Sequence, residues 1–486
     1  MRSPLRALLW STTALAALGG CAAEPLDARS AWLLERIEAD NADLIERSPA
    51  LAAQKLAAMA VRPHDFFRGT VRLFAEDATQ PGPEGHATNY GGRAAAEVSI
   101  VGDPHYENLG TFRAADGTLL LDYNDFDAAS FGPYWFDLRR LCLSFSVVAR
   151  LVEAHDQSFD TRLAVTAVAE GYVFELRRLE RGEAPFRVHA DSDAGPIVAD
   201  VFESAAEDGA VRGELDEETE LVGERRRLRI ASREQDSSEL LTDELRPVTR
   251  AERVEIEALL THYPRTLFEA PTRSFEVLDV ARRLGAGVAS LASLRYYALV
   301  RPVGAEADAD PSEDRILEIK EVRDPPLPRW STRPRRPFVD NAARVVLQQR
   351  LLQERPDTDA FLGWAASGRV SFRVRERTKF QKRLSLDRLS EEMTKGDFSG
   401  ADFVALGDTA GRLLARSHAL APGADGRPGL GPIVEALHGD DAGFVVETVA
   451  FTRDARALIE SDFERFQELL RDRGPLLGHR FSPVTR

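Results

Sequence analysis

Cysteine is almost absent from this chain, which carries only Cys21 and Cys142 among 486 residues. Its nine histidines are scattered, and no cysteines and histidines have the spacing of a zinc site. Cys21 ends a signal-like segment, so Cys142 is left without a partner for an intrachain disulfide. The apolar residues around Cys142 recur at helical spacing, which predicts that its thiol is a small, buried, apolar group.

Positively charged residues are fewer than negatively charged ones. The chain has 63 lysines and arginines against 79 aspartates and glutamates, a formal net charge of −16. A protein that binds nucleic acid without sequence preference needs a basic surface, so we expect no nucleic-acid partner. Apolar residues make up 43% of the chain, enough for a packed core, and its length allows two lobes or domains of ordinary size.

The first twenty residues predict a signal peptide and not a part of the fold. Arg2 and Arg6 precede the apolar run Ala7–Leu18, which is too short to span a bilayer comfortably. Small residues and then Cys21 follow, a pattern typical of a bacterial lipoprotein; the alternative is an ordinary secretory signal in which Cys21 is incidental. A lipidated Cys21 would anchor the protein to a membrane of the cell envelope. Alanine at position 22 favours the periplasmic side of the outer membrane.

Four further parts follow the signal in the predicted organisation. They are a spacer with helices at 21–60, a loop-bearing part at 61–270, a strand-rich part at 271–400 and C-terminal helices at 401–486. Pro49 should divide the first helical region in two. A charged stretch near 190–250, with a hairpin around Val222-Gly223, is interpreted as a surface insertion.

The stretch from Val101 to Asp127 carries the strongest indication of chemistry. Its polar residues are Asp103, His105 and Asn108 in one loop and then, after a turn at Asp116-Gly117 and a strand, Asp122, Asp125 and Asp127. One loop carboxylate can accept a hydroxyl proton, while the amide and a later carboxylate hold metal against phosphate oxygens. The pattern therefore suits Mg²⁺-dependent phosphoryl transfer. The alternative is a polar turn in which Asp and Asn cap the local backbone.

The second half predicts an α+β order of elements. It gives strands at 275–280, 294–303 and 315–322, a small-residue loop at 285–293, a helix at 341–354 and a strand at 370–377. This is the order of the N-terminal lobe of a protein kinase, but here it follows the acidic loops instead of preceding them. We therefore expect a two-lobed, circularly permuted protein-kinase-like fold. In such a fold Gly287 and Lys320 should face Asp103 and Asp125 across one cleft.

Five short motifs are spread along the chain. They are Gly102-Asp103-Pro104-His105-Tyr106-Glu107-Asn108-Leu109-Gly110, Asn124-Asp125-Phe126-Asp127, Trp135-Phe136-Asp137-Leu138-Arg139-Arg140-Leu141, Ile319-Lys320-Glu321 and Leu414-Ala415-Arg416-Ser417-His418. Together they resemble a bacterial family known as domain of unknown function 2252, which is related to protein-kinase-like and aminoglycoside phosphotransferase folds. The likeness covers nearly the whole chain after the signal, and its first two motifs are specific when they occur together.

The resemblance implies roles for these residues. Asp103 looks like the base of the catalytic loop, which His105 orients, and Asn108 looks like a Mg²⁺ ligand. Asp125 looks like the second metal ligand, but counting from the asparagine favours Asp122, so the choice among Asp122, Asp125 and Asp127 stays open. Lys320 looks like the lysine that pairs with the phosphates of ATP. The acid that should pair with this lysine is missing from the helix at 341–350.

The resemblance also implies a nucleotide-binding loop, formed by Gly285, Gly287 and Ser290. Ala289 and Ala292 stand where the family has two glycines. A glycine permits positive φ and a close approach of backbone N–H groups to phosphate, and a Cβ atom at both places limits how far the loop can close over a triphosphate.

Three classes of function follow from these observations. The first is a phosphotransferase that uses Mg²⁺ and ATP on a small-molecule or protein acceptor. The second is a catalytically inactive kinase-like lipoprotein that binds a ligand or partner, which the scarcity of ATP outside the cytoplasm favours. The third is a metal-dependent hydrolase that uses the Asp/His/Asn cluster. The presence of Asp103, Asn108, Asp125 and Lys320 together favours the first.

Overall fold

The predicted signal and nucleotide loop lie outside the residues that the structure describes. In this computed structural model the described residues are 26–79, 87–114, 116–210, 213–223, 225–230, 245–268, 274–283, 293–303, 314–327 and 338–479. The predictions for Cys21, Gly285, Gly287 and Ser290 therefore concern residues outside these ranges.

Four helices begin the described chain, and local chemistry sets their ends. Their bounds are Ala28–Arg47 (α1), Pro49–Met59 (α2), Pro63–Gly69 (α3) and Val71–Asp77 (α4). The Asp27 side chain caps α1 by accepting hydrogen bonds from two backbone N–H groups of its first turn. Proline begins α2 and α3, at a position where its missing N–H has no helical partner anyway. The prediction that Pro49 divides this region into two helices is confirmed.

Two small antiparallel ribbons carry the acidic loops. Their strands are Val98–Ile100 (β1), Leu109–Arg113 (β2), Leu119–Tyr123 (β3) and Ser130–Gly132 (β4), and β1 pairs with β4 while β2 pairs with β3. The predicted turn between β2 and β3 is confirmed, with Gly117 at a φ of 89° and the Asp116 side chain accepting from Thr118 N–H. The loops β1–β2 and β3–β4 join the same two ribbons, so they lie side by side.

The middle of the chain joins the acidic loops to the sheet. Its elements are Tyr134–His155 (α5), Thr161–Glu180 (α6), Pro196–Ala210 (α7), Gly213–Glu218 (α8), Thr219–Val222 (β5) and Arg225–Leu228 (β6). Cys142 is buried in α5, as predicted. The predicted hairpin around Gly223 is confirmed. Within the stretch near 190–250, whose interpretation as a surface insertion stays a prediction, α7 is amphipathic and buries Ile197, Val198 and Phe202 in the main core.

A six-stranded antiparallel sheet follows. Its elements are Leu245–Pro247 (β7), Arg250–His262 (α9), Ser274–Arg283 (β8), Arg295–Val303 (β9), Arg315–Val322 (β10), Asn341–Leu352 (α10), Gly363–Ser367 (β11) and Val370–Glu376 (β12). The strand order is β11-β12-β10-β9-β8-β7. Leu317 and Ile319 pack with Ile256 and Leu260 of α9 in one apolar cluster. Because side chains alternate along a strand, Lys320 must point to the other face of β10.

The C-terminal helices share one core with α5 and α6. They are Leu386–Lys395 (α11), Gly400–Leu420 (α12), Leu430–Leu437 (α13) and Asp441–Arg473 (α14). Leu413 and Leu414 of α12 belong to the same buried cluster as Leu141 and Phe145 of α5. The predicted α+β class is confirmed. Within the described ranges, every helix is too short or too polar to cross a membrane.

Candidate functional site

A cleft of about 770 Å³ opens between the two acidic loops and one face of the six-stranded sheet. Among the residues described, twelve arginines and lysines line it, against six aspartates and glutamates. The whole chain shows the opposite balance, with 63 basic and 79 acidic residues. The cleft is therefore a local concentration of positive charge in an acidic protein, and it suits an anionic ligand.

Asp137 holds the β1–β2 loop in place at the cleft. Its carboxylate accepts hydrogen bonds from the backbone N–H groups of Val101 (2.7 Å) and Gly102 (3.0 Å). Gly102 has a φ of 87°, and a Cβ atom there would collide with the carbonyl oxygen of Ala128 in the neighbouring loop. The His418 ring from α12 bonds the same carboxylate at 3.1 Å. Two distant motifs of the sequence thus fix the backbone that presents Asp103.

Asp103 lines the cleft and is oriented from behind by a buried arginine. Arg140 Nε donates to Asp103 Oδ1 at 2.8 Å, and its guanidinium group lies 3.5 Å from the Phe67 ring centroid. The Asp103 side chain keeps 19% of its surface exposed. Burial raises the pKa of the Asp103 carboxyl, and nearby Asp125 adds to this effect against the opposing charge of Arg140. A carboxylate with a raised pKa is a better proton acceptor than an ordinary aspartate.

Asn108 ties the two acidic loops together. Its Nδ2 donates to the carbonyl oxygens of Asp103 and Asp125, both at 3.0 Å. Its Oδ1 accepts from the backbone N–H groups of Asn124 (3.0 Å) and Asp125 (2.6 Å). The amide therefore sets the spacing between the two loops, and its prediction as a metal ligand stays a prediction.

His105 lies behind the loop in the protein interior. It is 5% exposed, and its Nδ1 has no hydrogen-bond partner within the described part of the chain. Burial, aided by the nearby charge of Arg68, holds the pKa of its imidazole well below the usual range. The ring is thus neutral at physiological pH, which agrees with a role in orienting the loop. Its centroid lies 6.3 Å from that of the His64 ring.

The three candidate metal aspartates fall in different surroundings. Asp122 is fully buried, where it accepts from Arg416 Nη2 at 2.7 and 2.8 Å and from the backbone N–H of Glu354 at 2.8 Å. Asp125 is exposed at the cleft. Asp127 also lines the cleft, where its Oδ2 accepts from Lys320 Nζ at 2.5 Å. Since Asp122 is committed to an ion pair in the core, it is not part of the site that we propose.

The acidic partner of Lys320 is Asp127, which lies in a loop and not in a helix. Although burial opposes it, the charge of Lys320 lowers the pKa of the Asp127 carboxyl and keeps that group ionised. Gln348 and Gln349 of α10 are both buried, but the helix provides Arg344, which donates to the carbonyl oxygen of Asp127 at 3.0 Å. Sequence reasoning missed this pairing, although Asp127 closes the second motif and Lys320 is the basic residue of the fourth.

Sequence reasoning placed Asp137 and Arg140 in the third motif and His418 in the fifth, but it gave none of them a catalytic or ligand-binding role. All three are buried, and each contacts the β1–β2 loop directly or through Asp137. A signal for them exists in the sequence, because charged residues that recur inside an otherwise apolar helical pattern need buried partners. The polar loop of Asp103 is the natural source of such partners, so the pattern alone could have paired these helices with it.

A Mg²⁺ ion fits this cleft in one particular way. Among the described residues, no three aspartate, glutamate, histidine or cysteine side chains converge as a ready metal site. Mg²⁺ usually takes one or two carboxylates and completes its shell with water and substrate phosphates. Asp125 and Asp103 line the cleft as such donors, with Asp127 beside them. The residues fit a Mg²⁺ ion that arrives on phosphate oxygens, and not one held by the protein alone.

Comparison with known proteins places the chain in a family. A family model described as "Uncharacterized protein conserved in bacteria (DUF2252)" matches residues 47–469. The chain belongs to this family, as its motifs predicted. A search of curated proteins returned no match, and neither did a search of solved structures. The matched range includes both acidic loops, the six-stranded sheet and α12.

Proposed function

We propose that this protein is a Mg²⁺-dependent phosphotransferase, which moves the terminal phosphoryl group of ATP to a hydroxyl group of a small-molecule or protein acceptor. The observation that carries the proposal is the meeting of Asp103, Asp125 and Lys320 at one cationic cleft. Asp103 and Asp125 come from two loops on either side of one hairpin, and Lys320 comes from a strand much further along the chain. Positioning and electrostatic stabilisation are what phosphoryl transfer requires of a protein.

The proposed reaction assigns the proton to Asp103. The acceptor hydroxyl donates its proton to the Asp103 carboxylate while its oxygen attacks the terminal phosphorus. The bond between that phosphorus and the bridging oxygen breaks, and its electron pair stays on the departing diphosphate. Arg140 keeps the carboxylate aimed at the cleft and Asn108 keeps the two loops in register. The proton leaves Asp103 for solvent afterwards.

The basic groups of the cleft hold the phosphates in this proposal. Lys320 donates a hydrogen bond to a phosphate oxygen and keeps part of its contact with Asp127. Asp125 supplies a metal-binding carboxylate on the exposed side of the cleft. A Mg²⁺ ion held there by Asp125 would neutralise charge on the phosphate oxygens. The contact with Asp127 holds Lys320 Nζ in the cleft, so that the phosphate meets a positioned cation.

Two aspartate variants test the proposal in different ways. Asp125→Asn should remove metal-dependent turnover, because a lost metal ligand costs on the order of 10²-fold in rate or more. Asp103→Asn should spare nucleotide binding and remove turnover. Two measurements made in parallel report these effects: phosphate release from Mg-ATP with water as the acceptor, and nucleotide binding.

The matched control is Asp191→Asn, which makes the same substitution at an exposed position and should change neither quantity. Wild-type protein that binds nucleotide and metal without any turnover would favour the inactive, ligand-binding class. Hydrolysis of phosphoesters without a nucleotide, unaffected by Lys320→Ala, would favour the hydrolase class.

We further propose that the fold is a circularly permuted, two-lobed kinase-like fold. In support, three successive strands β8, β9 and β10 precede α10, β11 and β12, with Lys320 on the third strand. This unit follows the acidic loops along the chain. Arg29 of α1 and Asp462 of α14 form an ion pair at 2.6 Å, so the first and last helices lie side by side, as a permuted chain requires.

We also propose that Cys21 is lipidated and anchors the protein on the periplasmic side of the outer membrane. The support is the sequence of the N-terminal segment alone. Cys21→Ser should leave an unlipidated precursor and move the protein out of the membrane fraction. If wild type incorporates no labelled fatty acid and the variant still fractionates with membranes, this part of the proposal fails.

A further inference from the structure

The sheet face around Lys320 carries an unusual row of cations. Arg295 on β9, Lys320 on β10 and Arg373 on β12 stand directly opposite one another across three neighbouring strands. Neighbouring strands lie about 4.8 Å apart, and like charges that face each other across strands are destabilising. These cations can therefore stand side by side only where anions offset their mutual repulsion.

Glu318 supplies part of that compensation from within the sheet. It stands two residues before Lys320, so it shares the same face. Its carboxylate lies 2.9 Å from Arg375 Nε and 3.4 Å from Arg373 Nη2, and it is 1% exposed. Although burial opposes ionisation, the surrounding guanidinium groups hold the pKa of its carboxyl well below the usual range. Glu318 thus orders the arginines, and we name this cluster of Arg295, Lys320, Arg373, Arg375 and Glu318 the arginine face.

Within the described part of the chain, Arg373 keeps an unused donor although two carboxylates lie beside it, Glu318 at 3.4 Å and Asp127 at 3.7 Å. Arg373 is 3% exposed, and its Nε has no hydrogen-bond partner among the described residues. Planar guanidinium groups bind phosphate oxygens through paired hydrogen bonds. The face is therefore built for a ligand that brings several phosphate charges.

The same face offers little to a nucleobase. Bases bind in apolar slots or stack on aromatic rings. Among the described residues the cleft has two aromatic members, Tyr297 and Phe112. The guanidinium groups of Arg283 and Arg377 already lie over the Tyr297 ring, 5.3 and 5.7 Å from its centroid, and Phe112 is buried. Beyond these two, the described lining has few apolar members, such as Val71, Ala128 and Pro326. These surroundings therefore favour recognition of a ligand through its phosphates over recognition through a base.

We propose that the arginine face binds the phosphate chain of inorganic polyphosphate, and that this protein recognises its phosphoryl donor by the chain and not by a base. ATP would then bind through its triphosphate alone. The binding claim stands by itself, while the use of the chain as donor rests on the proposed function. In that reaction the acceptor oxygen forms a bond to the terminal phosphorus, and the bond between that phosphorus and its bridging oxygen breaks. The chain leaves one phosphate shorter with the electron pair, and the acceptor proton passes to Asp103.

Calorimetric titration of the purified protein with tripolyphosphate, longer polyphosphate and ATP, each with Mg²⁺, tests this inference. Tripolyphosphate should bind at least as tightly as ATP, longer chains should bind more tightly, and saturating adenosine should displace none of them. Arg375→Ala should weaken tripolyphosphate and ATP alike by tenfold or more. Arg369→Ala, in the exposed turn between β11 and β12, should weaken neither. Raising the salt concentration should weaken wild-type binding strongly, which requires no variant that must fold.

Several results would overturn the inference. They are an ATP affinity tenfold above that of tripolyphosphate, displacement of tripolyphosphate by adenosine, equal affinities in Arg375→Ala and wild type, or no binding of phosphate chains to wild type. Chain binding without any turnover would contradict the proposed function alone. Turnover of ATP that binds tenfold more tightly than tripolyphosphate would contradict this inference alone.

Discussion

Buried charges with defined partners set the geometry of the cleft at the scale of single residues. Asp103 is bonded to Arg140, and Glu318 is bonded to Arg375. Removing one member of a buried pair leaves an uncompensated charge, which typically costs about 3–5 kcal/mol. Loss of function at these positions would therefore mix chemistry with stability. The exposed Asp125 avoids this difficulty, which makes it the cleanest position for testing metal binding.

Asp359 is a buried carboxyl that is only partly bonded, and it gives a prediction about pH. It is 6% exposed, its Oδ1 accepts from Phe361 N–H at 2.8 Å, and its Oδ2 has no hydrogen-bond partner within the described ranges. Burial raises the pKa of this carboxyl to about 6. The folded state therefore binds this proton more tightly than the unfolded chain does. The stabilisation that the protonated carboxyl gives the folded state is complete below the pKa of Asp359 in the unfolded chain, and it is lost as the pH rises through about 6.

Asp359→Asn cannot ionise, so its melting temperature should exceed that of wild type at pH 7 and approach it at pH 4.5. The shift of roughly two pKa units corresponds to at most about 3 kcal/mol. Thermal unfolding of both proteins across this pH range checks the prediction, with the exposed Asp191→Asn as the control. A difference between Asp359→Asn and wild type that stays constant with pH would contradict it.

At the scale of elements, the close approach of α6 and α12 positions the back of the site. A Cβ atom on Gly171 would lie 2.6 Å from the carbonyl oxygen of Asp408, and one on Gly411 would overlap the carbonyl oxygen of Val168. These glycines let the two helix backbones touch. Tyr172 of α6 can then bond His418 of α12 at 2.9 Å. His418 also bonds Asp137, which holds the loop of Asp103. The packing of α6 against α12 therefore helps to set the position of that loop.

Gly411→Ala should destabilise the protein by about 1–3 kcal/mol or more, because the added methyl group forces the helices apart. Gly431→Ala is the matched control: it also lies in a helix, but nothing stands within 4 Å of its added Cβ. That change should leave the stability unchanged or slightly raised. Calorimetric melting of both variants tests this, and equal melting temperatures would mean that the helix contact is not as close as described.

At the scale of the whole molecule, local patterns in the sequence predicted most of the elements. The strand that carries Lys320, the turn at Gly117 and the division at Pro49 follow from side-chain alternation and from the backbone limits of glycine and proline. Family motifs selected Asp103 and Asp125, which both line the cleft. The elements could be predicted because each depended on neighbours in the sequence, while the roles of Asp103 and Asp125 stay predictions.

Long-range pairing could not be predicted in the same way. Asp122 and Asp127 are both aspartates near the end of one strand, yet one pairs with Arg416 in the core and the other with Lys320 at the cleft. Their difference depends on which distant helix or strand packs against each of them. Likewise, the cationic row on the sheet appears only when β9, β10 and β12 are paired in register.

The proposed permutation predicts that the chain can be reopened elsewhere. Arg29 and Asp462 already bring the first and last helices together. A chain whose residues 479 and 26 are joined by a flexible linker, with new ends between α9 and β8, should therefore fold with a melting temperature close to that of wild type. Circular dichroism and melting check this. The matched control opens the chain inside β10, which should abolish folding because that strand is central in the sheet. Equal behaviour of the two permuted chains would contradict the prediction.

The most direct test of the central claim, a Mg²⁺-dependent phosphate-binding cleft, is a thermal-shift titration. Wild-type protein and Asp125→Asn are melted with ATP, GTP, ADP or pyrophosphate, each with and without Mg²⁺ or Mn²⁺. Binding to the native state stabilises it by about 2.7 kcal/mol when the ligand is at one hundred times its Kd. We predict that the wild-type melting temperature rises with ligand concentration, that metal enlarges the rise, and that Asp125→Asn loses the metal-dependent part. A wild-type melting temperature that no ligand changes at saturating concentration, with or without metal, would contradict the account.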